Sequence, residues 1–142
     1  MKLRNKIENY CPGASLGRLS FIGHSMGGMI IRAALPHLDK FKDKMFTYIS
    51  LSTPHLGYIY NASKIISTGM WFLSKWKKSE SLTQLSMADS KNIEDSFLYK
   101  LSCSEGLEWF KNIVLVSSFK DNYAPFDSAR IQNCSQATQD LK

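Results

Sequence analysis

The stretch Leu19-Ser20-Phe21-Ile22-Gly23-His24-Ser25-Met26-Gly27-Gly28 restricts the chain to few folds. Its first half is a short apolar run of the buried-strand type. From Met26 the residues Met29, Ile30, Ala33 and Ala34 recur at helical spacing up to Pro36. The backbone must therefore turn sharply from strand to helix at Ser25. Gly23-His24-Ser25-Met26-Gly27 fits G-x-S-x-G, the pattern that lifts a serine on a strained strand-to-helix turn, the nucleophile elbow. In such a turn the residues two before and two after the serine come close, so Gly23 and Gly27 are expected to be small for steric reasons, and Gly28 to let the helix lie tightly on the sheet. Ser25 then sits at a helix N-terminus, where free N–H groups and the helix dipole favour negative charge. The backbone N–H of Met26 becomes one oxyanion donor. The plain alternative is a glycine-rich turn whose serine only caps the helix.

Around this segment the periodicity alternates. Residues 3–10 read as a helix stopped by Pro12-Gly13. Residues 45–51 read as a second strand, followed by the loop Thr53-Pro54-His55-Leu56-Gly57. Residues 61–110 are mostly helical in pattern, with polar breaks near 79–81 and 89–92. Residues 112–118 form the most β-branched run, a third strand, and residues 128–142 read as a last helix. The order strand, helix, strand, helical excursion, strand, helix predicts an α/β fold with a mostly parallel sheet flanked by helices.

A serine nucleophile of this fold needs an acid and then a histidine, in that chain order. Asp121 lies three residues past Ser118, in Phe119-Lys120-Asp121-Asn122-Tyr123-Ala124-Pro125, beyond the end of the third strand where parallel sheets bind ligands. Its role would be to hold the histidine tautomer and stabilise the imidazolium. It could also simply form the turn before Pro125. Asp127 competes, but occupies an expected helix N-cap. His24, His37 and His55 are the histidines of the chain, and none follows Asp121. His24 is beside the nucleophile, its side chain expected to point away along the turn. His37 ends a helix, where a cation near the last carbonyls is common. His55, in the loop after the second strand, is expected to line the pocket and is the nearest thing to a replacement base. The pattern therefore reads as a single partial domain over residues 1–142, incomplete at both ends, without its base and without an upstream oxyanion loop.

Composition excludes several classes. Eighteen Lys and Arg face twelve Asp and Glu, for a net charge of +6, yet the basic residues are scattered. They read as a solvated surface, the alternative being a face for a membrane or an acidic partner, and no nucleic acid is expected. Cys11, Cys103 and Cys134 show neither zinc spacing nor a disulfide framework, so no metal and no other cofactor is expected. No leader pattern opens the chain, and no apolar run approaches the ~20 residues that span a bilayer. A cytoplasmic location is the default expectation.

Three ordered motifs together carry a resemblance. The segment from Leu19 to Gly28, then Leu51-Ser52-Thr53-Pro54-His55-Leu56-Gly57, then Asp121-Asn122-Tyr123-Ala124-Pro125 with Ser128-Ala129-Arg130-Ile131, resemble the serine esterase family that includes the yeast Rog-type lipases. The animal branch named "family with sequence similarity 135" is most similar. The resemblance implies a lipase-like α/β-hydrolase domain within a larger intracellular protein, with Ser25 as nucleophile, Asp121 as acid, and an ester or lipid substrate. The family's upstream His-Gly oxyanion loop and downstream histidine have no counterpart here.

Residues 58–111 stand where this fold often carries a lid. On a helical wheel Ile65, Ile66, Gly69, Leu73 and Trp76 share one face, while Trp71 falls among Lys64, Lys75 and Lys78. The first face reads as core and Trp71 as an exposed aromatic, or else the helix is an interfacial lid that meets a membrane surface. The rival to an esterase is a non-catalytic interaction domain on a hydrolase scaffold.

Overall fold

The computed structural model describes residues 2–10, 16–58 and 80–133. Three strands, β1 (Leu19–His24), β2 (Met45–Leu51) and β3 (Asn112–Val116), form a sheet in that spatial order, and both pairings are parallel. Parallel neighbours need a crossover. The first is α2 (Met26–Ala34), extended by a 3-10 segment over Leu35–Lys44 that Pro36 opens. The second crossover includes α3 (Glu80–Leu85) and α4 (Phe97–Ser102). The helix α1 (Lys2–Tyr10) precedes the sheet and α5 (Phe126–Ala129) follows it. This is an α/β architecture with a parallel sheet and helices, in keeping with part of an α/β-hydrolase-like fold.

Burial explains the arrangement. Tyr48 of β2 is fully buried, and with Leu35, Leu38, Met45 and Phe110 it forms a core cluster against which Leu3 and Ile7 of α1 also pack. Each such side chain contributes about 1.5–3 kcal/mol. A second cluster joins Met29 of α2 to Leu85 of α3 and to Leu98 and Leu101 of α4. The second crossover is thereby anchored on the back of the helix that follows Ser25. On the opposite sheet face Ile22, Ile49 and Val114 stand side by side in register. Ile22 and Val114 remain 68% and 42% exposed.

Several boundaries differ from the sequence reading. The helix expected from Met26 to near Pro36 ends as an α-helix at Ala34, because Pro36 opens the 3-10 segment. The third strand ends at Val116, and residues 117–118 lead into the turn that carries Asp121. In the excursion, α3 includes Glu80–Leu85 among the described residues, so helix overlaps the expected polar break at 79–81, and from Ser86 on the helix is shorter than the pattern suggested. That stretch holds one six-residue helix after Ser96 and two single 3-10 turns. The expected last helix is only Phe126–Ala129 among the described residues. The Trp71 face, Cys11, Cys134 and residues 134–142 lie outside the described residues. No helix among the described residues is long and apolar enough to cross a membrane.

Candidate active site

Ser25 follows β1 directly and precedes α2, with φ 54° and ψ −128°. A non-glycine residue rarely enters this region, and holding one there costs on the order of 1–3 kcal/mol. The surroundings fix it. The Ser25 N–H donates to Leu51 O at 2.9 Å, and Ser25 O accepts from the Gly28 N–H at 3.2 Å. The Ser25 side chain makes no capping hydrogen bond to the helix, so a cap does not account for its conformation. Met26 is the first residue of the nine-residue α2, which leaves its N–H among the unpaired donors of the helix start.

The steric basis of the turn differs from the expectation in one respect. A Cβ on Gly23 would lie 2.5 Å from Gly28 Cα and 2.6 Å from Gly28 N. A Cβ on Gly28 would collide with the buried Thr53 side chain. A Cβ on Gly27 would meet nothing within 4 Å. The close approach is thus between Gly23 and Gly28, and Gly27 is not needed for packing.

Asp121 reaches the same end of the sheet. His24, Leu51 and Val116 lie in one register row at the strands' C-terminal ends, so the turns beginning at Ser25 and at 117 leave the same edge. The Asp121 N–H donates to Ser118 O at 3.1 Å. Its Oδ1 accepts from the Tyr123 N–H at 2.8 Å and the Ala124 N–H at 3.0 Å. Burial pushes the carboxyl up. The Ser52 hydroxyl, the Ala124 and Tyr123 amides and the charge of His24 outweigh it, and hold the group below the usual carboxylate value. The turn-forming role and a charged acid are combined in one residue. Asp127 is not the N-cap; Pro125 precedes the helix, and Asp127 lies within its first turn.

His55 does not line an open pocket. It is 2% exposed. Its Nε2 pairs with Ser50 Oγ at 2.8 Å and its Nδ1 with an Arg32 guanidinium nitrogen at 3.3 Å. Arginine can only donate, so Nδ1 is the acceptor and Nε2 carries the proton. Burial, reinforced by the Arg32 charge, lowers the imidazole to about 3, so it is neutral. Both nitrogens are engaged, which removes it as a base for Ser25. His24 and His37 are exposed, and neither hydrogen-bonds to Ser25.

The groups around His55 have no signature in the sequence. Arg32 also donates to His55 O at 3.5 Å and to Leu101 O at 3.4 Å, and burial lowers its pKa. The Tyr48 hydroxyl donates to Gly28 O at 3.0 Å, in the first turn of the helix behind Ser25. Tyr58 is a further group of the edge. Burial, and then the Asp121 charge, push its phenol up to about 12. The loop of Thr53 to Gly57 is tied to α5 by the Leu56 N–H, which donates to Ser128 Oγ at 3.0 Å.

Comparison with known proteins gives a common direction. The chain is 25% identical over 105 residues to "Lecithin-cholesterol acyltransferase-like 4" of Arabidopsis thaliana, a match covering 73% of this chain and 19% of that protein. The chain thus spans about a fifth of the length of that relative. No solved structure matches it significantly. The family model described as "Putative serine esterase (DUF676)" matches residues 1–136, nearly the full length, and the chain belongs to that family.

Proposed function

We propose that this chain is the nucleophile-bearing part of a lipase-like carboxylic ester hydrolase. Ser25 gives its proton to a base and attacks the ester carbonyl, the Met26 N–H holds the developing oxyanion together with a second donor, the ester C–O bond breaks as the alcohol leaves with that proton, and water then releases the acyl group from Ser25 as a carboxylic acid. Asp121 is the acid that would orient the histidine. The observation that carries this reading is the backbone of Ser25, held at φ 54° and ψ −128° between strand and helix with its hydroxyl spared from capping. The esterase family and the acyltransferase-like relative support an ester or lipid substrate. Membership of the branch with the Rog-type lipases, a cytoplasmic setting and a membrane contact through the lid-like region 58–111 remain parts of the proposal.

The second reading, a non-catalytic interaction domain, rests on the histidines. His55 is engaged on both nitrogens, and neither of the others pairs with Ser25. A serine hydroxyl without a base is a weak nucleophile. Residues 1–142 alone are therefore expected to react with a fluorophosphonate probe no faster than an unactivated serine. Free imidazole, supplied as the base, should accelerate labelling of the folded chain well beyond that of the urea-unfolded chain. Ser25→Ala should abolish the difference. Equal rates in folded and unfolded chain would favour the interaction domain.

A further inference from the structure

From the exposed rings and cations of the acid turn we infer that residues 119–131 form a docking surface for an anionic lipid bilayer, at the same edge of the sheet as Ser25. The surface stands on its own geometry. Its purpose, bringing the esters of the bilayer to the serine, rests on the esterase reading.

The turn after β3 carries its rings outward. Phe119 is 85% exposed and Tyr123 61%. Single apolar side chains in water are common, whereas a cluster of them marks a contact surface. Phe119 is also held in place. Its ring centroid lies 3.8 Å from that of Phe126, the first residue of α5, with 14° between the planes. The Arg130 guanidinium sits 5.1 Å from the Phe126 centroid, and the next residue, Ile131, is again exposed. The stack joins the turn to α5 and fixes the orientation of Phe119. Burying that ring in a partner therefore costs little side-chain freedom.

Charge selects the partner. Lys120 beside Phe119 and Arg130 beside Ile131 are exposed, while the carboxylates of the same stretch, Asp121 and Asp127, are partly buried. Asp121 is further turned to its own backbone, with Oδ1 accepting the Tyr123 and Ala124 amides. The outermost layer is thus aromatic, apolar and cationic, on a chain of net charge +6. Rings of this kind suit the boundary between headgroups and acyl chains, and the cations beside them are drawn to anionic headgroups. A second copy of the chain fits less well, because a two-fold interface sets the same patch on both partners and so opposes like charges. The strand ends His24, Leu51 and Val116 share one register row, so a bilayer on this turn lies at the edge where the Ser25 turn also begins.

The test is co-sedimentation of the full chain with vesicles of phosphatidylserine and phosphatidylcholine in equal parts, beside vesicles of phosphatidylcholine alone. Phe119→Ala and the double variant Lys120→Gln with Arg130→Gln are compared with the unsubstituted chain, each checked for folding by its melting curve. The double variant keeps both rings, so it tests the surface separately from any support the stack lends the fold. The expected result is binding to the anionic vesicles only. Phe119→Ala should weaken it about tenfold or more. The double variant should weaken it about thirtyfold, at roughly fivefold for each cation. No binding, equal binding to both vesicle types, or binding unchanged in either variant would overturn the inference. So would self-association that Phe119→Ala abolishes in a chain that ignores vesicles, since that assigns the surface to a second copy. Imidazole-dependent labelling of Ser25, measured without vesicles, reports separately on the esterase reading, so failure of one is not failure of the other.

Discussion

Acidification from neutral pH to about 3 should strip the fold of a large share of its stability, and His55 should be the main cause. The imidazole titrates near 6.5 in the unfolded chain and at about 3 in the folded one, because burial and the Arg32 charge both oppose its protonation. Below 6.5 the unfolded state takes up a proton that the folded state refuses, so stability falls with falling pH and levels off below about 3. Over that window the loss is on the order of 4 kcal/mol, against a total of roughly 5–15 kcal/mol for a typical domain. Asp121 acts in the same direction at lower pH. Its folded value lies below the unfolded one, so its contribution is present above the ordinary carboxylate range and disappears as pH drops through the folded value. Thermal or urea unfolding at a series of pH values, compared between the unsubstituted chain and His55→Gln, checks this. The glutamine variant should be less stable at neutral pH but much flatter with pH. Parallel curves for the two would contradict it.

The elbow glycines should differ sharply in what they tolerate. Gly23→Ala places a Cβ 2.5 Å from the backbone of Gly28, which cannot rotate away, and strand and helix must separate. Overpacking of this kind costs about 1–3 kcal/mol and sometimes more, and here the obstacle is main chain, so the upper end or beyond is expected. Gly27→Ala meets nothing within 4 Å and lies inside α2, where alanine is favoured by up to ~1 kcal/mol. Denaturant midpoints of the two variants should therefore move in opposite directions. If both fall equally, the close approach of Gly23 and Gly28 is wrong.

What was legible in the sequence was local. The strand, the turn and the helix around Ser25 are contiguous, and each has its own period, so their junction can be read from ten residues. The three strands are apolar runs bounded by breakers, and their order forces a parallel sheet. The site's support was not legible, because it depends on contacts between distant residues. Arg32 reaches His55 and Leu101, 23 and 69 positions away, and a lone arginine on a helix normally reads as solvated. His55 looked like a pocket residue because a loop at a strand's end usually faces ligand, but Ser50 and Arg32 fold it inward. Between Ser86 and Phe110 helix was over-read, since apolar residues at helical spacing there also serve short segments that are held by packing on Met29.

The central claim is that the turn at Ser25 is a nucleophile elbow, a partly exposed residue held against the positive end of a helix. Ser25→Cys tests it without any base. Thiols ordinarily titrate near ~8.5, and a helix N-terminus lowers that value and raises the thiolate fraction at neutral pH. The measurement is the alkylation rate of the new thiol by iodoacetamide at pH 7, resolved by peptide mass spectrometry, with the exposed Cys103 in the same molecule as comparison. Faster alkylation at position 25 than at Cys103, lost on unfolding in urea, is the predicted result; a rate equal to or below that of Cys103 in the folded chain would contradict it.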